Sequence, residues 1–139
     1  MSIEENKALI RQWYELWNKG DMNGLYALHT NDVKDNNPFP GQPPGIEGLK
    51  LNLNQFHTAF PDMHIDVNLL VAEGDRVVDH VRASGTNQGE LLGAPATGKK
   101  ATIEATNIWR IANGKITEMW HVEDLVGMLQ QLGAMPTPS

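Results

Sequence analysis

The sequence predicts an α+β fold: a curved antiparallel sheet with N-terminal helices over its concave face and a short C-terminal helix. Three observations predict it. Apolar residues recur every three or four positions up to Phe60 and every second position after Pro61. Asn113-Gly114 joins two of the alternating stretches as a hairpin turn does. The helical stretches are segregated from the alternating ones, which puts helices on one side of a sheet rather than between parallel strands. Strong curvature of such a sheet, with helices across its concave face, makes a cone with an apolar interior.

The first helix runs from Glu4 to Lys19, where Leu9, Ile10, Trp13, Leu16 and Trp17 form one apolar stripe. Ser2 and Glu5 make a capping-box pattern, and Gly20 suits the C-terminal end. Asp21 can cap a short second helix with Leu25 and Leu28 on its inner face. The stretch from Asn31 to Gly45 holds four of the eight prolines. A brief strand over Val33 to Asp35 therefore gives way to an irregular loop. A third helix spans Ile46 to Phe60, buries Leu49, Leu53, Phe56 and Phe60, and stops at Pro61.

Met63, Ile65, Val67, Leu69 and Val71 alternate with more polar positions and mark the buried face of the first long strand. Glu73-Gly74-Asp75 is a turn, and Arg76 to Thr86 is the second long strand. A longer connection, Asn87 to Gly98, leads to strands over Lys100 to Ile111 and Lys115 to Val122. Leu125, Met128, Leu129 and Leu132 form the face of the closing helix, Gly133 caps it, and Ala134 to Ser139 is a loose tail. There is no internal repeat or linker, so residues 1–139 read as a single domain.

Composition narrows the function. A net charge of −6 with no basic run argues against nucleic-acid binding, which needs cations to neutralise phosphates. The lack of cysteine removes disulfides, thiolate nucleophiles and cysteine zinc sites. The start, MSIEENKALIRQW, carries charges where a signal peptide needs an apolar core. No apolar run approaches the roughly 20 residues of a membrane span. The expectation is a cytoplasmic protein without a membrane or nucleic-acid partner.

Four stretches carry a resemblance: PGQPPGIEGLK, FPDMHIDV, GTNQGELLGAPATGKK and RIANGKITEMWHVEDLVGMLQQLG. Together they resemble the SnoaL-like polyketide cyclases, also called ester cyclases, of the nuclear transport factor two-like superfamily. The likeness runs from about Ile10 to Gly133. It implies a single cone domain with a hydrophobic pocket, often a homodimer. It also implies ring closure of a polyketide ester by intramolecular aldol condensation, with no metal or cofactor and with a carboxylate as general acid/base. His121 stands where the resemblance places that carboxylate, and Asn107 matches a second polar position on the preceding strand. The Pro-Pro pair typical of the loop before the third long strand is Pro95-Ala96 here.

The residues themselves suggest who would act. His121 sits at a strand end beside a helix start, and imidazole exchanges protons near neutrality. Asp124 is placed to orient the ring or, more simply, to cap the helix. Thr117, Met119 and His121 share one face of their strand, with Ile116, Glu118 and Trp120 on the other. Ala105, Asn107 and Trp109 share the inner side of the preceding strand, where Asn107 would donate to a developing enolate oxygen. Asp35, before the proline-rich loop, is a second acid/base candidate or a turn-capping aspartate.

His80, with Arg82 on its face, is either a pocket group or a solvated one. His57 is a pocket candidate or a structural histidine, while His29 and His64 read as surface residues. Trp13, Tyr14, Trp17 and Phe60 are expected to wall the pocket, as are Met119 and Trp109.

Gly93 to Lys100 imitates a phosphate-binding loop, but it ends in Lys100 rather than a hydroxyl residue and enters a strand, not a helix. His121 and Asp124 lack the further ligands a metal would require. The leading expectation is a cofactor-free cyclase acting on a small apolar carbonyl compound. Its alternatives are a non-catalytic small-molecule binder, and a hydrolase or isomerase in which His121 activates water. Ile116 and Trp120 on the outward face suggest a homodimer.

Overall fold

The computed structural model describes residues 2–134, so the expected tail lies outside the described residues from Met135 onward. Three helices, α1 (Ile3–Lys19), α2 (Met22–Tyr26) and α3 (Gly45–Ala59), precede most of the sheet. The strands are β1 (His29–Asp35), β2 (His64–Glu73), β3 (Arg76–Thr86), β4 (Lys100–Ala112) and β5 (Lys115–Glu123), and α4 (Leu125–Leu132) closes the chain. The sheet order is β1-β5-β4-β3-β2. The four long strands are antiparallel, as expected, but β1 is longer than predicted and joins β5 in parallel. The sheet is therefore mixed. The reason is topological, because β1 reaches the sheet edge after two helices and not through a hairpin.

Local chemistry accounts for the ends of the elements. Ser2 Oγ accepts from the Glu5 backbone N–H at 3.0 Å and donates to its carboxylate at 3.1 Å, while Gly20 leaves α1 in the left-handed conformation. Asp21 and Asp124 cap α2 and α4 by accepting from Gly24 and Gly127. Each such cap stabilises by about 1 kcal/mol. Asn113 and Gly114 both have positive φ (52° and 74°), the geometry of a two-residue hairpin turn. In the PPGIEG stretch, Gly45 also has a positive φ. A Cβ on Gly48 would stand 1.7 Å from the Pro43 carbonyl oxygen, so the start of α3 can lie on the loop only without a side chain there.

Two bulges correct the simple alternation. The β2–β3 register shifts between Val67 and Leu69, which turns Leu69 and Val71 outward to 54% and 48% exposure and brings Leu70 and Ala72 against the core. The β4–β5 register shifts between Arg110 and Ile111, so Thr117 is the extra residue. Ile116 consequently faces the core and is fully buried, not outward as expected. Beyond the bulge, Met119 and His121 are buried while Trp120 is half-buried on the opposite face. A residue inserted into one strand reverses the facing of everything on one side of it.

The core falls into two clusters. The larger packs Ile10, Trp13, Tyr14 and Trp17 of α1 and Leu49 of α3 onto Val77, Val81, Trp109, Ile111, Ile116 and Met119. The smaller gathers Ala59, Phe60, Leu91, Ala101, Ile103, Met128 and Leu132, where α4 and the β3–β4 connection close one end. Full burial of a side chain such as Ile10 contributes roughly 1.5–3 kcal/mol. The exposed edge of β2 is covered by α1, where the Asn18 amide exchanges two hydrogen bonds with the Ile65 backbone (2.8 and 2.9 Å).

Candidate active site

Between the helices and the sheet lies a cavity of about 130 Å³. Trp13, Tyr14 and Trp17 of α1, Leu49, Asn52, Leu53 and Phe56 of α3, and the inward residues of the sheet line it, among them Asn107, Trp109, Met119, His121 and Glu123. Most of this wall is hydrocarbon and aromatic ring. Trp13 is parallel to Trp17 at 6.0 Å and tilted against Trp109 at 5.4 Å. The polar groups are few, and all but Asn52 gather in two clusters.

The first cluster surrounds Asp79, which is fully buried on β3. One carboxylate oxygen accepts from the Tyr14 hydroxyl at 2.8 Å and the Trp109 indole N–H at 2.7 Å, and the other accepts from the Asn107 amide at 2.8 Å. Burial pushes the Asp79 carboxyl above its ordinary pKa, against the opposing effect of these three donors. Burial also carries the Tyr14 hydroxyl well above its ordinary value, reinforced by the Asp79 charge. The second amide hydrogen of Asn107 goes to the Tyr14 oxygen at 3.1 Å. Both N–H bonds of Asn107 are thus spent inside the protein. Its carbonyl oxygen is the end without a partner among the described residues, so it presents an acceptor to the cavity and not the enolate donor expected from sequence.

The second cluster is built at the end of β5. His121, 9% exposed, lies between two carboxylates, Asp35 at 2.8 Å from Nε2 and Glu123 at 2.6 Å from Nδ1. Asp35 is held in turn by the Asn37 backbone N–H at 2.9 Å and the Gln42 amide at 3.0 Å. The loop is fastened to the strand because the His121 backbone N–H donates to the Asn37 side chain at 2.9 Å. Burial pulls the imidazole down, but the hydrogen bonds and charges of Asp35 and Glu123 outweigh it and raise His121 to about 9. For Asp35, burial raises the carboxyl, and the bonds from His121, Asn37 and Gln42 more than reverse this, leaving it below its ordinary value. The cluster is a row of carboxyl, imidazole and carboxyl groups, with the ring raised and Asp35 lowered by their pairing.

Other expected site residues sit elsewhere. His80 is on the outer face of the sheet, with Nδ1 2.9 Å from the Thr106 hydroxyl, because the inward positions of β3 are Val77, Asp79 and Val81. Phe60 belongs to the smaller core cluster, and His57 packs edge-on against Trp17 outside the cavity lining. His29 is buried, not a surface residue: it accepts from the Trp13 indole at 3.3 Å and lies 3.3 Å from the Tyr26 carbonyl, and burial lowers it to about 4. Asp124 caps α4 and does not orient His121, a part taken by Glu123.

Sequence reasoning saw Glu123 at the strand–helix joint only as an alternative helix cap, and it missed Asp79 and Asn52. Glu123 follows His121 by two and so shares its face. Asp79 is a carboxylate between Val77 and Val81 in strict alternation. Asn52 is one turn from Leu49 on the buried side of α3. It is 8% exposed, and its buried Oδ1 has no hydrogen-bond partner among the described residues. Among the described residues no group of three or more His, Asp or Glu side chains is arranged to hold a metal ion, and no helix is long and apolar enough to cross a membrane.

Comparison with known proteins gives this cavity a context. The aklanonic acid methyl ester cyclase DauD of Streptomyces sp. (strain C5) is 26% identical over 134 residues, covering 94% of this chain and 83% of its own. The structure of TsrD from Streptomyces laurentii superposes with a TM-score of 0.87 at 27% identity, covering 97% of this chain and 99% of TsrD. AclR from Streptomyces galilaeus, described as a candidate hydroxylase, superposes with a TM-score of 0.85 at 29% identity, covering 97% of this chain and 100% of AclR. A family profile described as SnoaL-like polyketide cyclase matches residues 7–132, and the chain belongs to that family.

Proposed function

We propose that the protein is a cofactor-independent cyclase that closes a ring in a polyketide-type carbonyl compound by intramolecular aldol condensation. The observation that carries this reading is the Asp35–His121–Glu123 row, of which His121 and Glu123 stand on the wall of a largely apolar cavity. An apolar cavity alone suits carriage of a small molecule. Titratable groups converging at one point, with Asn107 across the sheet from His121, suit proton transfer beside a carbonyl. The relationship to an aklanonic acid methyl ester cyclase supports a substrate of that class, a methyl ester.

The test is to incubate the protein with aklanonic acid methyl ester and follow the appearance of a cyclised isomer of equal mass. Turnover is expected, and His121→Ala should lower it steeply while the variant remains folded by circular dichroism. Full activity in that variant contradicts the assignment.

The second part of the proposal is a homodimer formed through the outer face of the sheet. Leu69, Val71 and Val122 are exposed there, and Trp120 lies half-buried beneath Arg76, whose guanidinium is 5.3 Å from the ring centre. Apolar side chains clustered on one face favour a covering partner. Sedimentation at micromolar concentration should give twice the chain mass, and a clean monomer contradicts the dimer.

A further inference from the structure

We infer that Glu123, through its free carboxylate oxygen Oε2, is the group that takes the proton from the substrate, and that His121 is a positioning residue. This rests on the cyclase reading and names the atom that would carry it out.

Asp79 is fully buried and receives three donors on its two oxygens. Asp35 receives His121 and the Asn37 N–H on Oδ1 and Gln42 on Oδ2, and it is not part of the cavity lining. Both nitrogens of His121 end on carboxylates, at 2.6 and 2.8 Å. A ring that donates from both nitrogens has no lone pair with which to remove a proton. The rise of this imidazole to about 9 agrees with a doubly protonated ring near neutrality. Glu123 remains. It lines the cavity, its side chain is 26% exposed, Oε1 is bound to His121, and Oε2 has no hydrogen-bond partner among the described residues.

The charges are arranged for this use. His121 fixes one oxygen of Glu123 and so aims the other, a locked orientation of the kind proximity catalysis requires. The Glu123 charge also acts on Tyr14, raising its hydroxyl, and both residues line the cavity.

In the step itself, a lone pair of Oε2 accepts a proton from the carbon next to the ester or ketone carbonyl. The C–H electron pair becomes the enolate double bond, and the carbonyl π pair moves onto oxygen. The enolate carbon then attacks a second carbonyl of the same molecule, forming the new C–C bond. The resulting alkoxide takes the proton back from the Glu123 carboxylic acid. No atom is lost and no oxidant or reductant is needed.

The experiment has two arms. In the first, aklanonic acid methyl ester is incubated in heavy water, and deuterium incorporation beside the carbonyl is read by NMR. If the wild-type protein neither exchanges nor cyclises this ester, the cyclase reading fails, and this inference with it. If the wild type is active, Glu123→Gln should slow exchange by about 100-fold or more with ester affinity little changed, the scale of a lost general base. Glu123→Asp should recover part of the rate. His121→Gln should slow exchange less than Glu123→Gln does, because it removes a positioning contact and leaves the base in place. Undiminished exchange in Glu123→Gln, or a greater loss in His121→Gln than in Glu123→Gln, overturns the inference.

The second arm needs no substrate. Nitrogen-15 NMR of the His121 ring near neutrality should show both nitrogens protonated. A neutral ring, with a lone pair of its own, overturns the inference independently of any turnover.

Discussion

The two polar clusters of the cavity are built from similar parts and differ in one respect. Asp79 and Glu123 are both carboxylates on inward positions of the sheet, each bonded to nitrogen donors of neighbouring side chains. Around Asp79 both oxygens are bonded to donors and the group is sealed from solvent. At Glu123, which lines the cavity, one oxygen is matched and the other has no hydrogen-bond partner among the described residues. A closed network fixes side chains, and an open one can exchange a proton. Buried polar groups stabilise a fold only when fully satisfied, so the incomplete cluster is where chemistry is expected.

The largest effect should come from breaking the closed cluster. Replacing Asp79 by Leu leaves the donors of Tyr14, Asn107 and Trp109 without their acceptor, and each unsatisfied buried group costs about 1–3 kcal/mol. Chemical denaturation should show a loss of about 3 kcal/mol or more. A loss under about 1 kcal/mol would mean the network is easily replaced by packing.

The next effect is in pH. The two buried histidines titrate in opposite directions. His29, lowered to about 4, is neutral in the folded state while the unfolded chain takes up a proton below the ordinary value of about 6.5. Its contribution is present above that ordinary value and is lost as pH falls towards 4. His121, raised to about 9, keeps its proton when the unfolded chain has released it. Its contribution is present below the ordinary value and is lost as pH rises through 9. Thermal unfolding across pH should therefore give a maximum near pH ~6.5. His121→Gln should flatten only the alkaline side. A curve in which this substitution changes the acidic side instead would reverse the assignment of the two histidines.

The smallest effect is expected at His80, which sequence reading placed among the pocket candidates. Its ring lies on the outer face, 38% exposed and bonded to Thr106. His80→Ala should change stability by only about 0.5 kcal/mol and leave ligand binding untouched. A large loss of binding would return His80 to the site.

Much of this architecture was legible in the residues. Periodicity located every helix and the four long strands, Asn113-Gly114 located the β4–β5 hairpin, and the position of His121 at a strand end marked the cluster's centre. The bulges at Asn68 and Thr117 were not legible. A bulge adds a residue without interrupting an alternating pattern, and so Leu69, Val71 and Ile116 were assigned to the wrong face. The partners of His121 were half legible. Glu123 follows from alternation once the strand is extended by one residue. Asp35 stands 86 positions away and meets the histidine only because β1 runs parallel to β5. Asp79 was overlooked beside His80 because a histidine draws attention more readily than a carboxylate, although the flanking valines marked Asp79 as the inward residue.

The most direct test of the contrast between the two clusters is a crystal structure with the cyclised product of aklanonic acid methyl ester bound. The carbon that loses its proton is expected within about 3.5 Å of Glu123 Oε2, the separation of reacting atoms in a productive complex. A product whose reacting carbon lies instead against Tyr14 and Asp79, with Glu123 turned away, would contradict the account.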